Sequence, residues 1–194
     1  DSRSTQAQTN RLDVGDNSSI ALRGTGLDQG ALTLNAHTDV TANDEMVLNT
    51  GALVGVPVSD TAITATASND IIVGTGTSLT TARGDIAISA KLVSDIEASA
   101  KTSVWGLAGV GATGKSDVSL TSANTVDFKQ DSLVRGNGAV AVTTNDSLDR
   151  MDVVAKTNIY NNTLIAGIFG EKADAHLAHD TNIYIREDAK LQSA

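Results

Sequence analysis

Pairs of aliphatic residues set two apart recur three times along the chain, each introduced by a glycine and followed by small residues. The copies read Gly30-Ala-Leu-Thr-Leu-Asn-Ala36, Gly84-Asp-Ile-Ala-Ile-Ser-Ala90 and Gly138-Ala-Val-Ala-Val-Thr-Thr144, with the glycines 54 residues apart both times. Apolar residues at period two mark a half-buried strand. A glycine turn feeding such a strand at constant spacing marks a chain that stacks copies of one unit. The inward set in this reading is Leu32, Leu34, Ile86, Ile88, Val140 and Val142, with Gly30, Gly84 and Gly138 at the preceding corner.

Further stretches follow each copy in the same order. Less regular stretches at 39–44, 95–100 and 151–156 come first, then glycine-rich apolar runs at 51–58, 105–112 and 164–170, and alternating runs at 63–67, 118–122 and 175–179. Short apolar runs at 71–73, 126–128 and 183–185 come next, and each unit closes on a lone leucine: Leu79, Leu133 and Leu191. The leucine intervals are 54 and 58 residues, which places an insertion of about four residues in the third unit, near Asn161 and Asn162. Residues 10–20 match the end of a unit. The chain therefore divides into a half unit, 1–29, and units 30–83, 84–137 and 138–194, all one segment of a longer repeat protein. Six short strands per unit predict two turns of a parallel β-helix, each of three strands. Thr157-Asn-Ile-Tyr160 recurring as Thr181-Asn-Ile-Tyr184 supports a turn of about 24 residues. Seven turns rising about 30 Å at ~4.8 Å per strand follow from this reading. A tandem of small β-sandwiches needs about 100 residues per domain, too many for this period.

Composition narrows the interior. Forty per cent of residues are hydrophobic but 3% are aromatic, with one proline in 194 residues, so the core is narrow and filled by small aliphatics. A net charge of −9 and a pI near 4.6, without a basic stripe, exclude a nucleic-acid partner. The absence of cysteine removes disulfides and thiolate metal sites. No apolar run approaches the roughly 18 residues of a membrane span, so membrane insertion is not expected.

GDIAISA, GLAGVGATGKSDVSL and DSLVRGNGAVAV resemble the repetitive β-helical exoproteins of bacteria, of the filamentous haemagglutinin and large autotransporter adhesin type. The resemblance runs from Asn10 onward. It implies a right-handed parallel β-helix, secreted or exposed at the cell surface, that serves adhesion, aggregation or filament building. The implied partners are a protein or glycan on a host or neighbouring cell, or copies of the chain stacked end to end. It implies no catalytic residues and no cofactor.

Candidate chemistry is sparse. Asp146, Asp149 and Asp152 are clustered oxygen donors of the kind calcium takes, set against a solvated acidic corner. His176 and His179 form an HxxH, which in a strand directs the two rings to opposite faces. Arg83-Gly84-Asp85 spells a cell-attachment tripeptide around an architectural glycine. Asn10, Asn69, Asn124 and Asn182 read as a shared corner position, kept apart by an intervening turn. Trp105, Tyr160 and Phe169 read as fillers of a wide corner. No nucleophile elbow, phosphate loop or zinc-protease motif occurs, and no enzymatic activity is expected; the less favoured alternative is polysaccharide processing on the same scaffold.

Overall fold

The computed structural model describes residues 1–24, 30–51, 54–109, 111–145, 149–165 and 167–193. Among them are strands and no helix, hence none long and apolar enough to cross a membrane. The strands are β1 Ser2–Val14, β2 Ser19–Leu22, β3 Leu32–Gly51, β4 Val54–Gly55, β5 Val58–Val73, β6 Ser78–Thr81 and β7 Ile86–Gly109. They continue as β8 Gly111–Phe128, β9 Leu133–Gly136, β10 Val140–Thr144, β11 Met151–Ile165, β12 Ile168–Ile185 and β13 Lys190–Ser193.

These strands form three parallel sheets. Sheet A runs β1-β5-β8-β12 and sheet B runs β2-β6-β9-β13, while in sheet C β7 pairs with β3, β4, β10 and β11. The chain visits the sheets in fixed rotation, A to B to C, because parallel neighbours cannot be joined by hairpins. This all-β arrangement is compatible with a β-helix.

The expected two turns per unit are not what the register shows. Paired residues lie between 54 positions apart, as in Leu32 and Ile86, and 59, as in Ser2 and Thr61. One circuit therefore takes a whole unit, and sheets A and B are four strands deep rather than seven. At ~4.8 Å per step, four strands rise about 14 Å. The physical reason is that polar residues counted as corners lie inside long strands. Stretches 86–90, 95–100 and 105–109 all belong to the 24-residue β7. Ser94 is buried and Asp95 exposed, and Asn69 is buried beside half-exposed Asp70, so these pairs alternate in and out without turning the chain. The echoed Thr157 and Thr181 motifs lie in β11 and β12, in different sheets.

Two further details of register differ from expectation. Val140 lies opposite Ile86 at a spacing of 54, but Met151 lies opposite Ser94 at 57. The insertion therefore falls between Thr144 and Met151, and Asn161 and Asn162 stay in register with Val104 and Trp105. In sheet B, Leu79 lies between Ile20 and Val134, and Val134 opposite Leu191. Leu133 is one position off this column: it lies opposite Ser78, half-buried on the outer face, because unit two carries one residue more between Ala108 and Thr113.

Two apolar clusters fill the interior. Sheet B closes the first, in which Ile86, Ile88, Ile71, Val73, Leu79, Val126, Phe128 and Val134 are buried. Leu32, Leu34, Val140, Val142 and Leu191 pack against it partly exposed, in the outer rungs. The second lies between sheets A and C, with Ile63, Val118 and Leu120 facing Val40, Leu92 and Ile96. Each fully buried aliphatic contributes about 1.5–3 kcal/mol, realised only through the rungs above and below.

The corner from sheet A to sheet B repeats one conformation. Asn17, Gly76, Asp131 and Asp188 have φ of 54°, 63°, 58° and 57°, the left-handed region that Asn, Asp and Gly tolerate. The corners stack through backbone bonds, Asn17 N to Thr75 O at 2.8 Å, Gly76 N to Gln130 O at 3.0 Å and Asp131 N to Glu187 O at 3.2 Å. Gly74 lies so close to the corner below that a Cβ would approach the Asp16 nitrogen and the Gly15 carbonyl carbon to 2.7 Å. Gly74→Ala is expected to lower stability by about 1–3 kcal/mol in urea denaturation. Gly15→Ala, whose Cβ would meet only the Ser18 hydroxyl at 3.7 Å, is expected to change it little.

Candidate functional site

The most organised polar feature lies along the inner side of sheet A, buried at Asn69 and Asn124 and open to solvent at Asn10 in the first rung. Asn10, Asn69 and Asn124 lie in direct register in sheet A, so no turn intervenes and their amides stack. Asn10 Nδ2 donates to the His37 carbonyl at 2.7 Å and to Thr38 Oγ1 at 2.6 Å. Thr38 Oγ1 in turn donates to Asn69 Oδ1 at 2.6 Å. Asn69 Nδ2 donates to the Lys91 carbonyl and to Asn124 Oδ1, both at 2.9 Å. Asn124 Nδ2 donates to Asn145 Oδ1. Each amide thus ties its own sheet across to sheet C and up to the next rung.

Asn145 ends the ladder by imitating backbone. Where sheet C is interrupted between β10 and β11, its Oδ1 accepts from Leu92 N and its Nδ2 donates to Leu92 O, both at 2.8 Å. Its φ of 35° suits an asparagine leaving a strand. Asn182 is not part of the series: Thr181 occupies the level of Asn124, and Asn182 lies opposite Thr125.

Hydroxyls line the far end of the second cluster. Ser59 Oγ and Thr102 Oγ1 are 2.6 Å apart, and Ser116 Oγ donates to the Lys156 carbonyl at 2.5 Å while accepting from Ala100 N at 3.1 Å. On the outside of sheet A, Asp127 takes Arg186 on both oxygens, at 2.9 and 3.1 Å, and Lys129 at 2.6 Å. The Arg186 guanidinium lies 4.5 Å over the Tyr184 ring. Hydrogen bonding by Arg186, opposed by burial and aided by Lys129, holds the Asp127 carboxyl below its usual range.

The residues singled out in the sequence mostly hold structure. Asp146 lies outside the described residues. Asp149 is 3.5 Å from Lys91 Nζ and Asp152 pairs with Arg150, and among the described residues no three acidic, His or Cys side chains gather to hold a metal. His176 is exposed, whereas His179 is turned inward with Nδ1 2.7 Å from Ser122 Oγ. Burial lowers the His179 pKa, against the pull of Asp180. Asp85 of the Arg-Gly-Asp tripeptide is tied down, its Oδ1 accepting from Ala139 N at 2.7 Å. Gly30 adopts φ 55°, and a Cβ on Gly138 would strike the Asp85 carboxylate at 2.1 Å; Gly84 is buried beneath it. Trp105 and Tyr160 fill no corner: they are 55% and 62% exposed.

No protein-family model matches the chain, and no curated protein or solved structure matches it either.

Replacing Asn124 by Leu leaves one N–H of the buried Asn69 amide without its acceptor, whereas Asn145 keeps both bonds to Leu92, with an expected loss of about 1–3 kcal/mol for the unmet donor. Thermal denaturation of the variant checks this. A lowered Asp127 pKa stabilises the fold above the ordinary carboxylate value of about 3.9, and that contribution is lost as pH falls through the folded value. Asp127→Asn is therefore expected to be less stable than the parent at neutral pH, with the gap closing in acid; urea titrations at both pH values read the difference.

Proposed function

We propose that the chain is a structural, adhesive stalk segment of a large secreted or cell-surface bacterial protein, coiled as a right-handed parallel β-helix. The hand follows from the general preference of parallel crossovers, about 98% right-handed. The sequence resemblance points to the filamentous haemagglutinin and autotransporter adhesin type and to attachment, aggregation or filament formation as the role, and the stacked parallel sheets are compatible with that reading. No catalytic step belongs to this reading.

The observation that carries the proposal is the state of the last rung. Leu177, Ile183 and Ile185 continue the inner columns of Leu120, Val126 and Phe128. They are 43%, 43% and 57% exposed, whereas those three are 0% exposed. An inner face of this kind, beside the unpaired edge of an 18-residue strand, suits a scaffold that carries on in further rungs. Stacking of copies end to end is the second reading. It fits less well, because the inner face of β1 begins with Ser2, Ser4, Gln6 and Gln8 where inner rungs place Ile63, Ala65 and Leu120.

Two measurements test this. Antibody against the segment is expected to label intact cells of the producing bacterium, and label appearing only after permeabilisation would overturn the surface assignment. Sedimentation of the isolated segment is expected to show no length distribution of head-to-tail polymers. Concentration-dependent growth into long particles would favour the stacked filament instead.

A further inference from the structure

Sheet B presents an outer face unlike the rest of this acidic molecule. Its strands read SIAL, SLTT, LVRG and KLQS and contain no Asp or Glu. The outer face of sheet A, by contrast, carries Asp13, Asp60, Asp70, Asp117 and Asp127. Across sheet B and the corner after it lies an open groove of about 510 Å³, within the usual range of ligand sites.

Register explains the groove. Ala21, Thr80, Arg135 and Gln192 stack in one outer column, and Arg23, Ala82 and Asn137 follow two positions on. Small side chains, Ala21, Thr80 and Ala82, form the floor, with Arg23 and Arg135 standing at its two sides. Two rungs separate the arginines, about 10 Å at ~4.8 Å per strand. Both are exposed, and among the described residues neither has a carboxylate partner, whereas Arg3, Arg11, Arg150 and Arg186 each do. The Asn137 amide is held at the rim by its bond to the Ala82 carbonyl, 3.0 Å.

We propose that this groove binds an acidic saccharide, its carboxylate or sulfate groups held by Arg23 and Arg135. A planar guanidinium matches such oxyanions with two parallel hydrogen bonds. Thr80 and Asn137 offer hydroxyl and amide groups suited to sugar hydroxyls between the charges. A nucleic acid is disfavoured: the groove has no aromatic side chain to stack a base. A peptide strand is disfavoured because sheet B's inner strands are already paired on both edges. The site deepens the adhesive reading by naming its partner class. Binding is assayed on the isolated chain, so its outcome is separate from where the protein resides.

The test is calorimetric titration with oligogalacturonate, sulfated dextran oligomers, neutral dextran and a single-stranded oligonucleotide of matched charge. Saturable binding of either acidic saccharide supports the proposal, and which of the two binds distinguishes carboxylate from sulfate. The double variant Arg23→Gln, Arg135→Gln is expected to weaken binding by at least about tenfold, roughly the effect of losing one charge-assisted hydrogen bond. Arg135→Lys, which keeps the charge but loses the fork, is expected to fall between. Arg11→Gln, on sheet A, is expected to bind like the parent. Unaltered circular dichroism and melting temperature show that the variants fold. Absence of saturable acidic-saccharide binding, equal binding of neutral dextran or the oligonucleotide, or full affinity in the folded double variant would each overturn the assignment.

Discussion

No rung of this molecule can bury its own inner face, so each residue depends on the one a full circuit away being at the same level. Apolar columns alone hold that register loosely against a slip of two residues, because Ile, Val, Leu and Ala would then still face inward. The asparagines at positions 10, 69 and 124 remove this freedom. A buried amide that bonds to a carbonyl across the interior and to the next amide above has one satisfactory level. A slip by one residue would turn every side chain to the opposite face and leave those amides without partners.

The ladder also divides the interior. On one side sheet B closes the core around Phe128 and Leu79, and on the other sheets A and C face each other across Leu120 and Leu92. Hydroxyls at Ser59, Thr102 and Ser116 line the second cluster's far end. Polar groups inside a stack of small aliphatics therefore mark where one apolar compartment stops and the next begins. The left-handed corner at Asn17, Gly76, Asp131 and Asp188 performs the matching task outside, since each repeats the same bend and the first three bond to the corner above.

The surfaces follow from the same stacking. Residues on one outer column meet as neighbours although 54 to 59 positions separate them in sequence. Asp127 thereby gains Arg186 from the next rung, and Arg23 and Arg135 come to flank one groove. Charge on this protein is organised by sheet, with carboxylates along sheet A and none on the strands of sheet B.

The repeat was legible in the sequence because glycine-led alternation needs no tertiary contact to be seen, and Leu32, Ile86 and Val140 do stand at one level. All-β structure and the aliphatic interior follow from that alternation, the few aromatics and the single proline. The length of the circuit was not legible. Asn69-Asp70 and Ser94-Asp95 look like turns in one dimension, and only their partners across the interior make them strand. Leu133 against Val134 shows the same limit at one residue: hydrophobicity favours the leucine, but a one-residue insertion upstream decides which side chain faces in. Asn145, Arg23 and Arg135 carried no local signal, because their roles come from residues brought beside them by a complete turn of the chain. Local pattern determined what each stretch is made of; the spacing between stacked rungs decided what each stretch touches.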